Sequence, residues 1–165
     1  AVLDRLPIAV VPIPLDGALA GSGVEVGTAP DMAVLTEQGG VGFLQLLLAQ
    51  RNGMFQRFAA PRAIGDLEVA AERDPRDLVV GDFDGDLVPD LLVVNAGAGN
   101  AVHHVVLGQA RPLPPLGAVH RIDAPGGSWK ARAARFDDDA IPDVLLVPGP
   151  TAPSGALPHV LLARP

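Results

Sequence analysis

A chain of 165 residues that is 48% apolar is long enough to bury one ordinary core and too apolar to be a disordered tail. Its formal net charge of −7, with a single lysine (Lys130) and scattered arginines, makes nucleic acid a poor partner, because phosphate neutralisation needs massed Lys and Arg. There is no cysteine, which removes disulfides, thiolate chemistry and zinc–sulfur sites, and no apolar run approaches the ~20 residues of a membrane helix.

Glycine (19) and proline (17) are frequent, which suits short strands joined by turns. The chain starts at Ala1 with no signal-peptide pattern, so processing, trimming or a fragment is expected. LPIAVVPIPL (6–15) reads as a strand. Its prolines confine it to an edge, and it is assigned to a unit preceding the first repeat. Three segments then align on a Pro-Asp pair and an apolar run: PDMAVLT from Pro30, PDLLVVN from Pro89 and PDVLLVP from Pro142. A turn and a second apolar run follow each, in FLQLLLAQ (43–50), AVHHVVLGQ (101–109) and LPHVLLARP (157–165). A first strand and an acidic loop precede two of the Pro-Asp pairs clearly, in DLVVGDFDGDLVPD (77–90) and WKARAARFDDDAIPD (129–143). ALAGSGVEVGTAPD (18–31) is a decayed copy. Looser fourth strands are read near MFQRFAA (54–60) and LGAVHRID (116–123), and the one helix-like window, Ile64 to Arg73, reads as a linker.

Four short antiparallel strands recurring about every 55 residues is the pattern of a β-propeller blade. The sequence therefore predicts an all-β chain, a single region over 1–165 with about three blades at 18–60, 77–123 and 129–165. Propellers close with about four to eight blades. A partial propeller is expected, completed by further chain or by copies that associate through the open faces.

The loop between the first two strands of the second unit carries Asp82, Asp84, Asp86 and Asp90. Calcium takes oxygen ligands from positions 1, 3 and 5 of a flexible loop, with a backbone carbonyl at 7. Counted from Asp82, those positions are Asp82, Asp84, Asp86 and the Val88 carbonyl, with Asp90 at 9. Gly85 permits the turn and Phe83 is free to face the core. An EF-hand is excluded: its Gly falls at position 6 and its bidentate Glu at 12, where this chain has Leu87 and Val93. Magnesium fits less well because it keeps its waters, and zinc and copper lack the softer ligands they favour. In the third unit Arg135 replaces the first ligand, ahead of Asp137, Asp139 and Asp143. Either a weakened calcium site or a guanidinium paired with these carboxylates is expected, the second being favoured. The first unit has Gly23, Glu25 and Gly27 there and is expected to bind nothing.

DFDGDLVPDLLVVN, followed by a strand ending in VVLGQ, resembles the FG-GAP/VCBS-type repeat of integrin α-chain-like calcium-binding propellers. LLLAQRNGMFQ (46–56) is similar to that family's strand-and-turn segment. GTAP (27–30) and DAPGG (123–127) are partial echoes of its signatures. The resemblance implies calcium ligation by Asp82, Asp84, Asp86, Asp90 and the Val88 carbonyl. It also implies a non-catalytic role in adhesion or in recognition of a protein or glycan, outside the cell or at its surface. A structural subunit of a surface or filamentous assembly, and an accessory domain of an extracellular enzyme, are the alternatives.

Catalytic patterns are weak. Ser22, Ser128 and Ser154 sit in Gly- or Pro-rich turns, and none forms a nucleophile elbow. His103 and His104 are adjacent, so a strand sends them to opposite faces; they read, with His120 and His159, as surface or edge residues. NAGAGNAV (95–102) reads as a hairpin loop. Trp129 is expected to pack between blades. No enzyme activity is expected.

Overall fold

Apolar runs rich in leucine and valine, punctuated by glycine and proline turns, form twelve strands in three antiparallel sheets among the described residues. The computed structural model describes residues 6–15, 29–66, 68–97, 100–109, 116–127, 129–150, 152 and 154–163. The first sheet runs β1 (Pro7–Ile13), β2 (Asp31–Gln38), β3 (Val41–Ala49), with β4 (Phe55–Arg57) and β5 (Arg62–Ile64) both pairing β3. The second is β6 (Pro75–Gly81), β7 (Asp90–Asn95), β8 (Asn100–Gly108) and β9 (Leu116–Pro125) in sequence order. The third is β10 (Trp129–Ala134), β11 (Asp143–Pro148) and β12 (His159–Leu161). The all-β antiparallel architecture is as the sequence predicts. The helix-like window contains the end of β5 and a single 3-10 turn, Ala70–Glu72.

One assignment is corrected. Residues 6–15 do not belong to a preceding unit: β1 pairs with β2, Ile13 opposite Asp31 and Val11 opposite Ala33. It is the edge strand of the first sheet, as its prolines require. The decayed copy over 18–28, including Gly23, Glu25 and Gly27, lies outside the described residues, as do Ser22 and Ser128.

The sheets stack face to face through two apolar layers. Leu35, Leu44 and Leu46 of the first sheet meet Leu78, Leu91 and Val93 of the second. Leu92 and Val94, on the other face of β7, meet Trp129, Val144 and Leu146 of the third. All six residues of β7 are therefore buried, and its inner run Leu91–Val94 is continuously apolar rather than alternating. Each such aliphatic side chain contributes roughly 1.5–3 kcal/mol when taken from water. Trp129 is 1% exposed and meets the His159 ring edge-on at 5.5 Å. Beside this layer, Asp77 on β6 crosses to the third sheet. Its Oδ2 accepts a hydrogen bond from the Ala131 N–H at 3.1 Å, and Lys130 and Arg132 lie 3.7 and 3.6 Å from its carboxylate.

Candidate metal centre

The aspartates of the three Pro-Asp pairs occupy the same place in the three sheets. Each opens the second strand, each is buried, and each accepts a backbone N–H from the end of the neighbouring strand or just beyond it. Asp31 Oδ1 accepts from Ala49 at 2.8 Å, Asp90 Oδ1 from Gly108 at 2.6 Å, and Asp143 Oδ1 from Ala163 at 3.1 Å. In the second and third sheets the other oxygen turns back to the acidic loop. Asp90 Oδ2 accepts from the Phe83 N–H at 2.6 Å and Asp143 Oδ2 from Phe136 at 2.8 Å. Gly108 suits this contact, since a Cβ there would stand 2.5 Å from the Pro89 carbonyl oxygen. Burial pushes the Asp90 carboxyl up to about 6 despite its two backbone donors, and Asp84 and Asp86 add to the rise.

The loop that these contacts pin brings Asp82, Asp84 and Asp86 together, with one carboxylate oxygen from each within 4.8 Å of the others. Asp82 accepts from the Gly85 and Leu87 N–H groups at 2.8 and 3.0 Å. Asp84 Oδ1 accepts from Asp86 at 3.2 Å, and Asp86 Oδ1 from Val88 at 2.8 Å. These bonds wind the loop on itself, with Gly85 and Leu87 at positive φ (80° and 67°). The donor set is all oxygen, and Oδ2 of Asp84 and of Asp86 accepts no hydrogen bond among the described residues. Both carboxylates are exposed, and that of Asp82 is partly buried. Three hard, clustered carboxylates, two of them with an oxygen to spare, suit a hard divalent cation. Asp90 is not part of this trio: it joins the loop to the strands from below, and Val88 contributes its N–H to Asp86. Phe83 packs into the layer between the second and third sheets.

The loop of the third sheet winds in the same way, with Asp139 N–H on Asp137 Oδ1 at 3.1 Å and Ile141 N–H on Asp139 Oδ1 at 2.9 Å. The two loops are neighbours, since a Cβ on Gly85 would stand 3.4 Å from Ile141 Cδ1. Arg135 is exposed and, among the described residues, forms no ion pair with Asp137, Asp139 or Asp143. The favoured expectation of a guanidinium among these carboxylates is not what the fold adopts; the side chain turns to solvent, where its hydration costs nothing.

The histidine pair departs from its sequence reading. His103 and His104 do face opposite sides of β8, but both are buried, at 0% and 2% exposure, because the second sheet is covered on both faces. His104 Nε2 donates to Glu72 Oε2 at 3.2 Å, and its Nδ1 accepts from Asn95 Nδ2 at 3.1 Å. Glu72 also accepts the Asp66 N–H at 2.9 Å and pairs with Arg121. This network fastens the linker to the second sheet. His103 Nδ1 accepts from the Asn95 N–H at 3.3 Å, and burial, with His104 beside it, lowers its pKa to about 4. Burial lowers that of His104 too, against the pull of Glu72. The only signal for this in the sequence was the unbroken apolar character of the strand around the pair.

Next to the acidic loop, a cavity of about 290 Å³ opens between the second and third sheets. Leu107, Ile122 and Leu161 line it, with Asp84 and His120 adding polar groups. Among the described residues no helix is long and apolar enough to cross a membrane. No family model matches the chain, and neither a curated protein nor a solved structure matches it.

Proposed function

We propose that the chain is a non-catalytic binding module built from propeller-type blades, and that its loop at 82–90 takes a calcium ion. The observation that carries this reading is the convergence of Asp82, Asp84 and Asp86 on one point within 4.8 Å. Like charges at about that distance repel by roughly 1 kcal/mol per pair in bulk water and about 4 kcal/mol at an effective dielectric near 20. A dication reverses that cost. Asp82, Asp84 and Asp86 would hold it; of the further ligands that the FG-GAP/VCBS-type resemblance implies, the Val88 carbonyl would complete the set, while Asp90, both of whose oxygens accept backbone N–H groups, would hold the loop in place. The ion supplies charge neutralisation and rigidity to the loop. The chain's own residues position it, through the two backbone N–H groups that grip Asp90.

The reading without catalysis rests on where the acid–base groups lie. The Glu72–His104 pair is closed off from solvent and engaged in fastening the linker. The rigid loop and the adjoining cavity suit recognition of a protein or glycan at a cell surface or outside the cell, where millimolar calcium fills weak modular sites. Calorimetric titration with calcium and magnesium, beside thermal melts in chelator, tests the reading. Calcium is expected to bind, to raise the melting temperature over the chelated protein, and to lose both effects in Asp84→Ala and Asp86→Ala. Identical melts in chelator and in millimolar calcium would overturn it.

A further inference from the structure

The fold treats the chain's asparagines, Asn52, Asn95 and Asn100, in three different ways. Asn95 is buried, and its Nδ2 donates to the Val102 carbonyl at 2.7 Å. Asn100 is exposed, but it opens β8 opposite Pro125 and is followed by the buried Ala101. Asn52 lies in an exposed turn and precedes a glycine, as neither of the others does.

That turn joins β3 to β4. The Gly53 N–H donates to the Gln50 carbonyl at 2.9 Å, and the Gln50 N–H to the Met54 carbonyl at 2.8 Å. Gly53 stands at φ 78°, so the hairpin closes on a short loop with a left-handed glycine. A Cβ built on Gly53 would meet nothing within 4 Å, so the backbone there is not hemmed in by neighbours. Asn52 Oδ1 accepts the Met54 N–H at 3.0 Å. This bond turns the side-chain amide along the chain and closes a ring around the Gly53 nitrogen, which keeps the amide carbon beside that nitrogen. The same bond draws electrons from the amide carbon. All of Arg51, Asn52, Gly53 and Met54 are exposed, so water and hydroxide reach the turn.

We propose that Asn52–Gly53 is a self-modification site, at which the Gly53 nitrogen displaces ammonia from the Asn52 side chain. The Gly53 amide proton passes to hydroxide. The nitrogen attacks Asn52 Cγ, an N–Cγ bond forms, and the Cγ–Nδ2 bond breaks with release of ammonia. Water then opens the five-membered imide at either carbonyl, giving aspartate or its β-linked isomer, isoaspartate. No oxidant or reductant takes part. Glycine makes the nitrogen accessible, since it has no Cβ to shield it. The Asp84–Gly85 pair is held differently. Its glycine N–H donates to the Asp82 carboxylate at 2.8 Å, a Cβ on Gly85 would stand 3.4 Å from Ile141 Cδ1, and the Asp84 carboxylate is a poorer electrophile than an amide. The reaction is therefore confined to Asn52. Isoaspartate carries the main chain through its Cβ and lengthens the turn. β4 pairs with β3 only from Ala49 opposite Phe55 to Leu47 opposite Arg57, so the longer turn loosens this short pairing and spares that of β2 with β3. The proposal goes beyond the calcium reading and does not depend on it.

The test is prolonged incubation of the whole folded chain at mildly alkaline pH, followed by tryptic mapping. Cleavage after Arg51 and Arg57 isolates residues 52–57. This peptide is expected to gain the mass of an amide-to-acid conversion and to split into two products, one of them a substrate for protein isoaspartate methyltransferase. Asn95 and Asn100 are expected to stay unchanged. Asn52→Gln, which keeps the amide but cannot close the five-membered ring, should stay unchanged at that position. Hydrogen exchange should quicken at Phe55–Arg57 in the converted protein. The proposal is overturned by an unchanged Asn52 under conditions that convert a free peptide of the same sequence. Conversion of Asn95 or Asn100 ahead of Asn52, or conversion of Asn52 to aspartate with no isoaspartate, overturns it equally.

Discussion

Asp90 and His103 are two buried titratable groups whose effects on stability run in opposite directions with pH. The Asp90 carboxyl is raised by burial to about 6, so the folded chain holds a proton that the unfolded chain has given up near its usual 3.8. Its contribution is fully present below about 4 and is lost as pH rises through 6. His103 is lowered by burial to about 4 from 6.5, so the folded chain refuses a proton that the unfolded chain accepts. Its contribution is present above about 6.5 and is lost as pH falls toward 4. Between these limits the two largely offset each other. Thermal melts between pH 7 and 4.5, in chelator, should show His103→Leu losing stability less steeply than the parent and Asp90→Asn more steeply. At this scale the sequence was legible where spacing alone fixes chemistry. Asp82, Asp84 and Asp86 alternate on one short loop, and the fold brings their carboxylates together. It was illegible for His103 and His104, because alternation says which face a side chain takes but not whether that face is covered.

The hairpin of second and third strands is the element that the fold repeats, and the aspartate at its start holds it. A carboxylate there accepts the N–H at the far end of the adjoining strand and, in two sheets, an N–H of the loop before it. Asp143→Ala removes both partners at once from a site with 0% exposure. Leaving two such donors unsatisfied should cost roughly 2–4 kcal/mol, read as a lower midpoint in urea. Asp137→Ala, on the exposed part of the same loop, should change the midpoint by less than about 0.5 kcal/mol. The strands themselves were readable from apolar runs bounded by Pro-Asp and glycine. The first strand of the first sheet was read as an edge strand but not as part of that sheet, since a long connection separates it from β2 and a strand-like sequence at 18–31 stood nearer to hand.

Across the whole molecule, Trp129 is the largest side chain in the layer that joins the second and third sheets. Its position between units was predictable from its being the sole tryptophan in a chain otherwise poor in aromatics. Trp129→Ala should lower stability by roughly 3–5 kcal/mol. If the three sheets unfold together, calorimetry will show one transition displaced to lower temperature; a separate early transition would mean that the third sheet melts alone. The stack as a whole could not be read from spacing, because strand periodicity records which residues are apolar and leaves open which sheet meets which.

The two outer strands of the third sheet differ in how they meet an intruder. On β10 the Ala131 N–H is already taken by Asp77, with Lys130 and Arg132 flanking it, so a foreign strand must break a charge-assisted bond and displace two cations to add itself. No side chain guards β12 in this way among the described residues, and its shortness is its main defence. Misassembly into fibrils, where it occurs, should therefore start from β12 and spread away from the Asp77 bridge.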